Sequence, residues 1–288
     1  MLIAIGLVAV SGAPAEAAKL RTVSQSQLAG ANGSNARVTA VARCPKGTKA
    51  VSGGFTITPP SPGTPAAPPH SPGIPGHLFI VNESIMTPRG DGWRVSGAEQ
   101  VQGSLDGFTA YAYCEKRKRA LLLGGTVRTD FVPTVSGQST GNTARCPKGT
   151  TAISGGFSTL SPGAYFNRSR GAGRDWSVGV TTFDAGTSRD LYEVEAYCVR
   201  GKVRTTKAED ITTGSFGPVA GVGAAMTSGC AKGGFVRGGG YGSRPPGANL
   251  NGALVIGDVL GSKGWSVTFA SLGVAQGPFT AFGYCRAG

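Results

Sequence analysis

The sequence predicts an all-β protein built from three homologous, disulfide-stabilised units. Three observations carry this. Gly supplies 48 of 288 residues, and each Gly in a helix costs about 1 kcal/mol relative to Ala. Helical bundles and coiled coils are therefore excluded, and a doubly wound α/β fold is disfavoured. Gly does not recur at every third position, so the chain is not collagen-like. Apolar residues make up 40% of the chain, enough to bury a core. Second, all six cysteines and all three tryptophans fall in one threefold register. Third, the segment before each second cysteine alternates with period two, as a strand with one buried face does.

Met1 to Val10 form a short apolar run, and Ala15-Glu16-Ala17 fits a small-x-small cleavage site. We read residues 1–17 as a secretory signal, although no Lys or Arg precedes the run. It is too short for a membrane span of ~20 residues, and no other segment suits one. Residues 18–37 are a polar extension carrying a first strand.

Unit 1 covers residues 38–120. Cys44-Pro45-Lys46-Gly47 opens it, Gly53-Gly54-Phe55 follows, then Trp93-x-Val95, and Tyr113-Cys114 closes it. Its Pro-rich insert, 59–75, reads as a surface loop. Unit 2, residues 121–202, repeats the series as Cys146-Pro147-Lys148-Gly149, Gly155-Gly156-Phe157, Trp176-x-Val178 and Tyr197-Cys198. Unit 3, residues 203–288, keeps a worn copy: Cys230-Ala231-Lys232-Gly233, Gly239-Gly240-Tyr241, Trp265-x-Val267 and Tyr284-Cys285. Arg21-Thr22, Arg128-Thr129 and Arg204-Thr205 echo one another as starts of a first strand. One cysteine at each end of each unit pairs most simply as 44–114, 146–198 and 230–285; pairing between interlocked units is the alternative. The units are either thirds of one domain or three tandem small β-sandwiches.

An even cysteine count in an exported chain fits disulfides and an oxidising, extracellular compartment. No two cysteines are close enough for a CxxC site, and His70 and His77 sit in or beside Pro-rich sequence, so no metal or cofactor is expected. The net charge of +13 favours anionic partners. Nucleic acid suits the charge but not the compartment. The run Lys116-Arg117-Lys118-Arg119 reads first as a solvated linker.

The series Cys-Pro-x-Gly, Gly-Gly-Phe, Trp-x-Val and Tyr-Cys resembles a repeat of exported actinobacterial proteins of mostly unknown function. It is also distantly similar to the vitelline membrane outer layer protein family. That resemblance implies a pseudo-threefold β-prism and an interaction with carbohydrate. Unit 3 departs from the pattern at Ala231 and Tyr241, and the units here are longer.

A hydrolytic triad needs a rigidly placed His, and neither His qualifies. Paired carboxylates could cleave glycosides. Asp91 and Asp175 precede their Trp but have no counterpart in unit 3, and Asp190, Glu193 and Glu195 read as a solvated strand face. No catalytic residue is therefore assigned, and a glycan-active enzyme is the third-ranked reading. Trp93, Trp176 and Trp265 either plug the core over a disulfide or stack on sugar rings beside Tyr111. Lys46, Lys148 and Lys232 are either turn-surface charges or a basic ring. The leading expectation is a secreted, non-catalytic protein that binds carbohydrate or an anionic cell-surface polymer. The runner-up is a structural adaptor in a secreted assembly, with Lys19 to Asn35 adding a strand to a partner. Sequons begin at Asn32, Asn82 and Asn167.

Overall fold

Period-two burial recurs along the chain wherever the sequence alternates. In Gly107–Lys116 the side chains of Phe108, Ala110, Ala112 and Cys114 are buried, while Thr109 and Tyr111 between them are not. The computed structural model describes residues 20–28, 37–58, 79–99, 107–116, 121–130, 139–161, 163–182, 191–201, 203–208, 222–227, 230, 235–243, 253–261, 264–271 and 279–286. Residues 1–17, read from the sequence as a secretory signal, the insert 59–75, both histidines, Asn32 and Lys232 lie outside them.

Every regular element among the described residues is a strand, as the glycine content requires. Unit 1, together with the extension before it that supplies β1 (Leu20–Leu28) and the start of β2, holds β2 (Arg37–Arg43), β3 (Thr48–Thr58), β4 (Phe79–Met86), β5 (Gly92–Glu99) and β6 (Gly107–Lys116). Unit 2 supplies β7 (Leu122–Leu123), β8 (Val127–Asp130), β9 (Ser139–Arg145), β10 (Thr150–Thr159), β11 (Ala164–Ala172), β12 (Asp175–Thr182) and β13 (Leu191–Arg200). Unit 3 supplies β14 (Val203–Ala208), β15 (Val222–Met226), β16 (Phe235–Ser243), β17 (Ala253–Leu260), β18 (Trp265–Ser271) and β19 (Phe279–Arg286).

The strands form three sheets, and each sheet is shared by two units. Sheet 1 runs β1-β6-β3-β17-β18-β15, from units 1 and 3. Sheet 2 runs β2-β5-β4-β10-β13-β7, with β8 also on β13, from units 1 and 2. Sheet 3 runs β14-β19-β16-β11-β12-β9, from units 3 and 2. The sharing closes on itself, unit 1 to 2 to 3 and back to 1, so the chain forms a pseudo-threefold, prism-like arrangement. Three tandem sandwiches would keep each sheet within one unit, and no sheet here does so.

The first strands also differ from expectation. Arg21 pairs with Cys114 and Arg204 with Cys285, but Arg128 pairs with Glu193. The residue opposite Cys198 is Leu122. Gly124 and Gly125 interrupt the strand, with Gly124 N donating to Ala196 O and Gly125 N turning to Arg145 O. The echo Arg128-Thr129 is thus a likeness of sequence, not of position. The segment 20–28, proposed to reach a partner, is taken up by pairing with β6 along its whole length.

The disulfides are Cys44–Cys114, Cys146–Cys198 and Cys230–Cys285, with Cα separations of 5.7, 5.8 and 5.8 Å. Each ties a residue beyond the end of an edge strand (the next residue for Cys44 and Cys146, four residues on for Cys230) to the last strand of the same unit in another sheet, at a corner of the prism. With 70, 52 and 55 residues enclosed, the chain-entropy model gives about 4 kcal/mol per closure.

Where two units meet within a sheet the ladder is short. Phe55 and Thr56 pair with Asp258 and Gly257, Phe157 and Ser158 with Ser84 and Glu83, and Ser169 with Tyr241. The second glycine of each Gly pair stands beside this seam. A Cβ on Gly54 would overlap Asp258 O, one on Gly156 would lie 2.9 Å from Ser84 O, and one on Gly240 would overlap Ser169 O. The seams close because these positions have no side chain.

Gly240→Ala should lower stability by about 2–3 kcal/mol in urea unfolding, since a backbone carbonyl cannot swing aside. Gly242→Ala, whose new Cβ would meet side-chain carbons at 3.4 Å and beyond, should change it by less than about 0.5 kcal/mol. Equal losses at both positions would contradict the seam argument.

Candidate functional site

The recurrent tryptophans belong to the core. Trp93, Trp176 and Trp265 are each 1% exposed. Their rings lie against the first glycine of each pair, on a different sheet: a Cβ on Gly53, Gly155 or Gly239 would overlap the Trp93, Trp176 or Trp265 ring respectively. No ligand at the surface can reach rings held this way, which corrects their reading as sugar platforms. Each indole N–H has a partner. Trp93 Nε1 donates to Ser84 Oγ at 2.9 Å and Trp176 Nε1 to Ser169 Oγ at 3.1 Å, while Trp265 Nε1 donates to Asp258 Oδ1.

The tyrosine before each second cysteine completes the arrangement from another unit. Tyr197 meets Trp93, Tyr113 meets Trp265 and Tyr284 meets Trp176, at ring-centroid distances of 5.5, 5.6 and 5.4 Å. Each hydroxyl accepts a backbone N–H two residues beyond the indole's acceptor. Met86 N donates to Tyr197 at 2.8 Å, Gly171 N to Tyr284 at 2.6 Å and Leu260 N to Tyr113 at 2.7 Å. The Tyr-Cys motif therefore marks a junction between units as well as a disulfide. Ser84, Ser169 and Asp258 escaped the sequence reading because they lie nine, seven and seven residues before their Trp, across turns of different length.

Asp258 is the odd member of that set. It is 8% exposed, and burial pushes its carboxyl up to about 7, partly opposed by the Trp265 hydrogen bond. The other two units solve the same problem with a neutral hydroxyl.

The other expected residues are more dispersed. Lys46 and Lys148 are exposed at the centre of matching tight turns. In these turns Thr48 N donates to Pro45 O and Thr150 N to Pro147 O, and Gly47 and Gly149 both have φ of 81°, the conformation that type II turns reserve for Gly. An open depression of about 810 Å³ lies beside the first turn, with Lys46, Lys49 and Lys116 around it and Asp91 at its wall. The Thr87 hydroxyl donates to Asp91 at 2.6 Å and, with Arg43 nearby, holds its carboxyl below the usual range. Asp175 is forked by Arg145 at 2.6 and 2.9 Å, which lowers it likewise. Tyr111 is half-buried, its hydroxyl 3.3 Å from Thr56 Oγ1.

Glu193 and Glu195 lie on one strand face of sheet 2, and Asp190 lies outside the described residues. Glu195 is raised by burial, against the hydrogen bond that Tyr197 donates to it. Glu83, which sequence reading missed, is buried between Arg37 at 2.7 Å, Arg94 and the Ser96 hydroxyl at 3.0 Å. The cluster is a satisfied ion network as it stands. The sequon residues Asn82 and Asn167 are 2% and 3% exposed, and Asn167 donates to Ser139 and Thr181, so neither can carry a glycan in the folded chain. Among the described residues no group of three or more His, Cys, Asp or Glu could hold a metal ion.

No family model matches the chain, and the search of curated proteins finds no match.

Asp258 makes stability depend on pH. Its folded carboxyl keeps a proton to about pH 7, whereas an unfolded one loses it near 4. The folded state therefore binds the extra proton between these limits, and stability falls as pH rises from about 4 to about 7. The ceiling is about 4 kcal/mol, at about 1.4 kcal/mol per pH unit. Asp258→Ser should remove most of this slope, read from urea midpoints between pH 4 and 8, and make the protein more stable at pH 8. An unchanged slope would contradict the assignment.

Proposed function

We propose that the protein is a secreted, non-catalytic binding protein for an anionic carbohydrate or cell-wall polymer. The observation that supports this most is the depression at the Cys44 corner, which Lys46, Lys49 and Lys116 line together with a single carboxylate, Asp91, itself held by Thr87 and Arg43. Three lysines line this opening, one of them, Lys49, also donating from Nζ to Arg89 O at 3.0 Å, and an anion placed there gains from their positive charge. The excess positive charge of the chain, +13, steers such a polymer towards the surface. Three disulfides fit an oxidising compartment outside the cell.

The adaptor reading retains one foothold. β1 lies at the end of sheet 1, so a partner strand would have to add to its outer edge rather than receive β1 itself.

Retention on a phosphate-rich cell-wall matrix tests the leading reading. The wild type should be retained at low salt and released by free polymer, with affinity falling as salt screens the charges. Lys46→Gln/Lys49→Gln/Lys116→Gln should weaken binding at least about tenfold, the scale of losing one charge-assisted contact, with the melting temperature nearly unchanged. Absence of retention, or full retention by the triple variant, would overturn the reading. Co-purification of one stoichiometric protein partner in place of polymer would favour the adaptor.

A further inference from the structure

The pseudosymmetry separates what builds the fold from what decorates it. Residues common to the three units (cysteines, Gly pairs, Trp, Tyr) make the prism. Positions that are equivalent in register but differ in chemistry are free of that duty. The outer faces of the three sheets provide such a comparison.

The residue after the bulge in the third-last strand of each unit is Glu83 in β4, Arg168 in β11 and Gly257 in β17. Two positions on, the three units have Ile85, Arg170 and Val259. One strand further across, paired with the second glycine of each Gly pair on the last strand of the adjoining unit, stand Glu195 in sheet 2, Phe282 in sheet 3 and Tyr111 in sheet 1. Sheet 2 is thus acidic here and neutralised by Arg37 and Arg94. Sheet 1 is neutral. Sheet 3 carries two arginines, and no described acidic residue pairs with either.

The surroundings of Arg168 differ from the other two units in the same direction. Its register partner is Gly179 in β12, which is itself paired with Gly141 in β9. The corresponding residues are Ser96 and Thr39 in sheet 2 and Thr268 and Ala224 in sheet 1. A Cβ on Gly141 would overlap Arg168 Nη2, and one on Gly179 would lie 3.4 Å from Nε. The guanidinium therefore lies in a trough made by removing two side chains. Its Nε is buried and donates to no acceptor among the described residues. Burial and the like charge of Arg170 both press the Arg168 pKa downward. Arg170 is held alongside, its guanidinium 5.4 Å from the Phe282 ring centroid. A third glycine, Gly242, leaves room between them: a Cβ there would touch Arg168 Cγ at 3.4 Å, Arg170 Cδ at 3.5 Å and Phe282 at 3.8 Å.

Two neighbouring half-buried guanidinium groups without a carboxylate are unfavourable in isolation, because each loses hydration and repels the other. We propose that the outer face of sheet 3 is an oxyanion-binding site, in which Arg168 and Arg170 together take a sulfate, phosphodiester or carboxylate group borne on a saccharide polymer. A planar guanidinium fixed in a trough meets such a group with paired N–H donors, and the anion supplies the negative charge that no described residue pairs with these arginines. The inference rests on the reading of the protein as a binder of anionic polymer. It adds a second site, separate from the lysines of the Cys44 corner, and the chemistry of the group bound there.

Arginine Nε–H signals of the ¹⁵N-labelled full chain, titrated with dextran sulfate, a glycerol-phosphate polymer and polygalacturonate in separate arms, test it. At least one polymer should shift the Arg168 and Arg170 signals, and the arm that does so most strongly identifies the oxyanion. Arg168→Gln/Arg170→Gln should weaken that polymer's binding about tenfold, the scale of one charge-assisted contact. The same shifts should persist in the Lys46→Gln/Lys49→Gln/Lys116→Gln variant. Unmoved Arg168 and Arg170 signals with all three polymers, or undiminished binding by the arginine double variant, would overturn the sheet 3 site. Shifts at Arg168 with binding indifferent to the lysine variant would keep this site and dismiss the Cys44 corner. Failure of both variants to alter binding would dismiss both.

Discussion

The structure depends on one contact made three times: an indole laid against a glycine of a neighbouring sheet. Trp93 on Gly53, Trp176 on Gly155 and Trp265 on Gly239 bring two sheets closer than any pair of ordinary side chains would allow. Each indole is the largest side chain of its region and is fully buried, so truncation to Ala would cost about 3–5 kcal/mol. Because the ring also donates a hydrogen bond from its N–H, its orientation is fixed as well as its depth. A Cβ on the glycine or a smaller ring on the strand removes the fit, and neither change can be absorbed by a neighbour alone.

The other recurrent residues follow from that contact. The tyrosine that touches each indole comes from a different unit, and its hydroxyl accepts a backbone N–H of the strand it approaches. The second glycine lets the carbonyl of that strand draw near. The disulfide ties the corner that the indole lines. Trp, Tyr, Gly pair and cystine are thus parts of a single joint between units. The buried Arg237, paired with Glu115 at 2.8 Å, adds a joint between units 3 and 1 that the other junctions lack, where Val51 and Ile153 occupy the bulge.

Much of this was legible because the joint is made of rare residues. Cysteine and tryptophan in threefold register announced the units and the disulfide pairing, and glycine frequency excluded helices. The exchange of strands between units was not legible, since hydrophobic alternation reports which face is buried and not against which strand. Unit 2's first strand misled for a related reason: Arg128-Thr129 matches its counterparts in sequence, but Gly124 and Gly125 divide the strand and move the match five residues along. The trough under Arg168 was hidden because it consists of side chains that are missing, at Gly141 and Gly179, on two strands. Repeats reveal the scaffold readily. Where register-equivalent positions cease to agree, the scaffold no longer explains the residues, and the outer face of sheet 3 departs from the other two with its paired arginines.

Sheets shared around a closed cycle leave no unit able to complete a sheet alone. Cooperativity therefore measures the central claim directly. Differential scanning calorimetry of the oxidised, intact chain should show one transition whose calorimetric and van't Hoff enthalpies agree, the mark of a single cooperative unit. A calorimetric enthalpy about three times the van't Hoff value, as three independent domains would give, would contradict the joint between units on which the account stands.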